Sequence, residues 1–201
     1  MQFGEVIGGS ITDILVQVKT ASEVSWPITF GSFVKIMCQN HEIVGVVVDA
    51  RYESLAKARP RSRWIEERKT FDKIYPDIHE KFLSVAEVFV LGYMKNGGFR
   101  QILPPAPPEM HAPVTSMTDE EIKSFHNVDV GRQHVKMDYV YRLISELRMW
   151  RCVDLLRVII DRLEVFGLSR NIMVREVSGA YVALGEEETA LKVSPLLLQR
   201  G

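Results

Sequence analysis

The residues able to ligate or react are five histidines, two cysteines and an arginine-rich stretch between positions 51 and 77. His41, His79, His111, His126 and His134 contain no pair at the i, i+4 spacing that sets two imidazoles on one helix face, and neither Cys38 nor Cys152 has a second ligand close by in sequence. His126, Asp129 and His134 come nearest to a metal triad, but their spacing reads better as a helix end followed by a solvated loop. Cys152 falls on an apolar stripe and reads as a small buried hydrophobe, while Cys38 ends a strand, and nothing supports a catalytic cysteine with a histidine partner. Glu186-Glu187-Glu188 reads as a solvated run. No phosphate loop of the form Gly-x4-Gly-Lys-Ser/Thr occurs, and no strand is followed by Gly-x-Gly-x-x-Gly. Gly8-Gly9-Ser10 lies between two strand patterns, where glycines serve a hairpin turn. The sequence predicts no metal, no cofactor and no catalytic constellation.

The stretch Arg51–Asp77 is the most unusual surface feature. It holds eight basic side chains and is net positive, in a chain whose formal net charge is −1. Clustered arginines make bidentate contacts to carboxylates or phosphates, and aromatic rings among them can stack on bases or pin the loop down. Arg59, Arg61, Arg63, Trp64, Arg68 and Lys69 are the candidate contacts to a partner or to phosphate. The plain alternative is a solvated loop.

The elements that would position these residues change character near position 95. Phe3–Ile7 is short and apolar. Along Ile11–Thr20, Ile14, Val16 and Val18 point one way and Leu15, Gln17 and Lys19 the other, the period of a half-buried strand. Phe30–Cys38 is a third run, and Gln39-Asn40-His41-Glu42 connects it to Ile43–Asp49, with Gly45 marking a bulge or bend. Lys81–Met94 supplies one or two further strands. Short strands joined by tight turns suggest a small antiparallel barrel, which leaves no free edge. Residues 96–117 read as a semi-rigid linker rich in proline, closing at Thr118, which with Glu121 forms a capping box.

Beyond it the period is helical. Val140, Leu143, Ile144 and Leu147 keep one phase, and Cys152, Leu155, Leu156, Ile159, Ile160 and Leu163 another, which suggests helices at about 133–148 and 151–166. Gly167 stands where a glycine would end the second. Ile172–Leu184 reads as a hairpin around Ser178-Gly179, and the last fifteen residues are undecided. The fold class expected is therefore α+β: a β-barrel over 1–95 with the basic insertion at 51–77, a linker over 96–117, and a helical segment with a terminal hairpin over 118–201.

Composition limits what such a chain can do. With 201 residues it can bury a core without disulfides or metal, and 46% hydrophobic with 25% charged residues is ordinary globular composition. A near-neutral balance argues against a protein that coats nucleic acid with its whole surface. Two cysteines favour a reducing compartment, and the N-terminus lacks the pattern of a secretory signal. A cytoplasmic location without membrane contact is the expectation.

Three stretches and the proline segment resemble the HAS-barrel, the N-terminal barrel of HerA-type DNA translocases and rotary ATP synthase subunits. They are Phe3-Gly4-Glu5-Val6-Ile7-Gly8 with Thr12 after it, Phe30-Gly31-Ser32-Phe33-Val34-Lys35-Ile36, and Ile43-Val44-Gly45-Val46-Val47. Leu103-Pro104-Pro105-Ala106-Pro107-Pro108, followed by Val114 and Thr118-Asp119-Glu120-Glu121-Ile122, is similar to the segment that leads to the ATPase domain in HerA-like proteins. The likeness covers about residues 1–125, and the remainder has no phosphate loop. The resemblance implies packing of barrels into a ring, or docking onto a partner, without ATP hydrolysis by this chain.

The leading reading is a non-catalytic assembly or adaptor protein, with a partner such as an ATPase or nuclease. The alternative is a nucleic-acid-binding protein, in which the two helices and the hairpin have the order of a winged-helix reader. Residues 118–166 carry eight basic and nine acidic side chains, which disfavours it. The breadth of the apolar stripe around 152–166 predicts a homo-oligomer, a dimer being simplest, with Leu155, Leu156, Ile159, Ile160 and Leu163 at the interface.

Overall fold

The computed structural model describes residues 2–19, 27–54 and 82–199. Its strands are β1 (Gln2–Gly9), β2 (Asp13–Val18), β3 (Phe33–Met37), β4 (Glu42–Ser54), β5 (Phe82–Lys95), β6 (Gly98–Arg100) and β7 (Pro113–Ser116). Its helices are α1 (Asp119–Phe125), α2 (Val140–Glu146), α3 (Met149–Glu164), α4 (Arg170–Ala183) and α5 (Glu187–Leu198). The order β2-β1-β7-β3-β4-β5 closes on itself through β2–β5 pairing, giving a six-stranded antiparallel barrel with β6 as an added edge.

Side-chain period explains the barrel's two faces. In β2, Ile14, Val16 and Val18 are buried while Asp13, Leu15 and Gln17 are half-buried, so one face fills the barrel and the other meets solvent. From Ile43 to Val48, by contrast, β4 is apolar and buried throughout, as is β5 from Val88 to Leu91. Ile43, Val47, Val88 and Val90 belong to the barrel core with Val34, Ile36 and Val114. Val44, Val46, Val48, Phe89 and Leu91 belong to a second core, shared with the helices. A strand covered on both faces needs no alternation. Gly45 marks a register shift against β5, and a Cβ there would stand 2.4 Å from Val88 Cγ1.

The 96–117 segment departs from the linker expected of it. Residues 98–100 form β6, and β7 lies between β1 and β3, pairing Val114 with Gly4 on one side and Ile36 on the other. Pro113 opens β7, where a strand tolerates proline. The prolines before it occupy the connection from β6 back to the barrel. Met117 N–H then donates to Phe33 O at 3.0 Å, and Thr118 caps α1 through a complete capping box with Glu121. Lys35 on β3 reaches the same Glu121 carboxylate, which joins the cap to the barrel. The helices therefore pack directly on the barrel wall.

Two expectations about the C-terminal part are corrected. Residues 172–183 lie in helix α4, not in a hairpin, with Leu184 as its C-cap, and residues 187–198 form α5. The buried positions Met173, Val174, Val177, Ala180 and Tyr181 have helical spacing, and Gly179 sits on the exposed face of α4 with nothing within 4 Å of a Cβ. The first helix is α2 at 140–146, shorter than 133–148, because Gln133 at φ 50° and the Asp129–His134 bridge shape the preceding loop. The expected break before the long helix is present, with Leu147 extended at ψ 147°. Gly167 adopts φ 89°, the left-handed geometry in which a glycine ends a helix.

Candidate docking groove at the barrel–helix seam

The turn that leads into β3 brings the barrel against α3. Thr29 N–H donates to Ser32 Oγ at 3.0 Å, Ser32 N–H returns to Thr29 O at 3.0 Å, and Gly31 N–H donates to Val47 O at 2.8 Å. Gly31 has φ +81°, and a Cβ on it would stand 2.3 Å from Val158 Cγ1. Only glycine meets both the left-handed backbone and this close approach without displacement.

Beside that contact, Arg148, Arg151, Asp154 and Arg157 recur at three-residue steps from the N-cap of α3 through its first two turns. With Phe30 and Val158 they line an open groove of about 830 Å³. A smaller hollow of about 300 Å³ shares Phe30 and Val158 and extends past Ser116 and Met117 to Arg162. The arginines are held differently. Arg151 Nη2 lies 3.6 Å from Asp49 Oδ2, and Asp49 is bound more closely by Arg51 at 3.0 Å. Arg157 donates from Nη2 to Leu196 O at 2.9 Å, while its buried Nε has no partner among the described residues. Arg162 pairs with Asp119 at 2.5 Å. Arg148 is exposed, and its guanidinium has no ion-pair or hydrogen-bond partner among the described residues.

Arg59, Arg61, Arg63, Trp64, Arg68 and Lys69 lie outside the described residues. Leu155, Leu156, Ile159, Ile160 and Leu163 are each 0% exposed within one chain, packed in the core shared by barrel and helices. They are covered without a second subunit, so the apolar breadth of α3 is explained by layers on both its sides. The winged-helix order loses its wing, since α4 occupies the hairpin's place.

His126 does not join Asp129 and His134 in a cluster. It is fully buried, donates from Nδ1 to Ile122 O at 2.8 Å and accepts the Tyr139 hydroxyl at Nε2. Asp129 and His134 meet through a backbone bridge instead. Among the described residues no group of three His, Cys, Asp or Glu side chains is placed to hold a metal ion. Burial pushes the Cys152 thiol up to about 11, and burial with the Glu109 carboxylate pushes Cys38 up to about 12, so both stay protonated near neutrality. Among the described residues no helix is long and apolar enough to cross a membrane.

The arginine groove was not singled out from sequence. Its signal was present in part: Arg151, Asp154 and Arg157 fall on the side of α3 away from the apolar stripe, and Arg148 is its N-cap residue. That side normally reads as a solvated face, and only the turn carrying Phe30 makes it a groove. No protein-family model matches the chain, and no curated protein matches it either.

Proposed function

We propose that this chain is a non-catalytic adaptor: a HAS-barrel-like module with a helical layer, docking a protein partner of the ATPase or nuclease type or assembling with itself. The observation that carries the reading is the arginine-lined groove where the Phe30–Gly31 turn meets α3, a basic cleft bordered by both layers. Supporting it, the strands that resemble the HAS-barrel by sequence stand in a closed six-stranded barrel. The two thiols are held protonated by burial, which suits a binding role better than nucleophilic chemistry.

The test combines a mass and an activity. The tagged chain, recovered from its native host and examined by native mass spectrometry, is expected to carry a partner in fixed stoichiometry or to form a defined homo-oligomer. ATP turnover should be absent from the purified chain. A bare 23 kDa species with no partner, or ATP hydrolysis that survives further purification, overturns the reading.

A further inference from the structure

The groove at the head of α3 has a chemistry that narrows the partner. Arg148 presents a guanidinium with no partner among the described residues, Arg151 holds Asp49 only at 3.6 Å, and Arg157 has an unmatched buried Nε. Guanidinium forks favour planar bidentate anions, carboxylates foremost among protein side chains. Next to them, Met149 and Trp150 on the first turn of α3 are 46% and 65% exposed, and Phe30 lines the groove itself. Arginines interleaved with exposed large apolar groups have the composition of a binding hot spot.

Resting on the adaptor reading, we propose that this groove binds a short acidic segment of the partner protein, its Asp and Glu side chains meeting Arg148, Arg151 and Arg157 and its apolar side chains covering Trp150 and Phe30. A nucleic-acid strand fits less well. Asp154 lines the groove, Asp49 stands at its edge, and Glu53 and Glu87 hold Arg51 beyond it at 2.7 and 3.5 Å. A phosphate backbone carries charge at every step and would run against these carboxylates. A peptide sets its charges at intervals and can leave an apolar residue opposite Asp154.

A random 12-residue peptide library displayed on phage, panned against the full chain, supplies the probe. Enriched peptides are then titrated by fluorescence anisotropy against the unmodified chain, Arg148→Glu and Trp150→Ser. The enriched set should show an excess of Asp and Glu separated by aliphatic or aromatic residues. Binding should weaken about tenfold or more in Arg148→Glu and fall with added salt. Both substituted side chains are exposed, so an unchanged melting curve checks that folding is intact. The inference is overturned by failure to enrich, by enrichment without acidic excess, by equal binding to Arg148→Glu, or by displacement of the peptide by oligothymidylate at lower concentration than by itself. Capture of a stoichiometric native partner whose binding ignores Arg148→Glu removes this groove assignment and leaves the adaptor reading standing. Absence of any native partner or self-assembly removes the adaptor reading, whatever the peptides do.

Discussion

The Tyr139 hydroxyl donates to His126 Nε2 across 2.9 Å in the core between barrel and helices. The Ile122 carbonyl can only accept, so Nδ1 carries a proton, and in the neutral ring Nε2 is left to accept. Phe33 and Phe125 stand edge-on to the imidazole, with ring centroids at 5.3 and 5.1 Å. Charging the ring there would place an imidazolium among aromatic carbons, and burial accordingly lowers its pKa from 6.5 to about 4.

That depression fixes the sign of a pH effect. The unfolded chain binds a proton at position 126 below about 6.5, and the folded chain does so only below about 4. Stability from this group is therefore complete above pH 6.5 and lost as pH falls toward 4, by about 3 kcal/mol. Urea unfolding at pH 7 and pH 4 should show that loss over and above the loss from carboxylates. In His126→Phe, which cannot titrate, the difference between the two pH values should shrink by a similar amount. An unchanged difference would show that the ring does not stay neutral when folded.

Gly31 at the turn into β3 stands close against Val158 of α3, and substitution there should reveal it. Gly31→Ala adds a methyl group into Val158 and a side chain at φ +81°, and should cost about 2–4 kcal/mol. Val158→Ala on the same background removes the steric part and leaves the backbone part. A double-mutant cycle should give a coupling of about 1 kcal/mol or more. Additive effects would mean that the two elements do not press on one another.

Arg170 ties three helices at once. From the first turn of α4 it donates to Leu197 O at 2.8 Å and Gln199 O at 3.2 Å at the end of α5, and to Glu164 Oε2 at 3.0 Å and to Asp161 on α3. A cation belongs at those helix C-terminal carbonyls, and the α3 carboxylates compensate its burial. Arg170→Met should cost about 2–4 kcal/mol in chemical unfolding. Arg170→Lys should recover less than half, since one ammonium cannot span both sets of acceptors. Hydrogen exchange should locate the loosening at residues 187–198, and full protection there would refute the clamp.

The barrel was legible because its signals are local. Alternation in β2, the Gly8-Gly9-Ser10 turn, the Gln39–Glu42 connection and the bulge at Gly45 each depend on neighbours in sequence. The helices at 149–164 and 119–125 were legible through apolar spacing and the Thr118–Glu121 box. What escaped depends on distant partners. β7 is only four residues long and acquires its strand identity from β1 and β3, so prolines around it suggested a linker. In α4, Val174, Val177 and Val182 are β-branched and Ser178-Gly179 mimics a turn, yet burial against α2 and α5 outweighs those local preferences. The run Ile43–Val48 already announced a layer on the barrel's outer face, since one-sided strands alternate. Recognising that layer as the helices required the contact at Gly31.

The same layering decides how Ile159 will respond to truncation. Its side chain is 0% exposed and belongs to the core that joins Val46 and Phe89 of the barrel wall to Met173 and Val177 of α4. Removing three carbons from such a site forfeits their burial and leaves a cavity that the barrel wall and the helical layer cannot collapse into. Ile159→Ala should therefore lower unfolding stability by about 2–5 kcal/mol. Because no part of that side chain reaches the surface, the mass measured by light scattering at native temperature should stay that of the unmodified chain, whatever assembly state that is. Were Ile159 instead an interface residue, truncation would shift the mass at protein concentrations that leave the fold intact. A fall in mass with circular dichroism unchanged would thus contradict the intramolecular core, and a fall in stability at constant mass is the expected result.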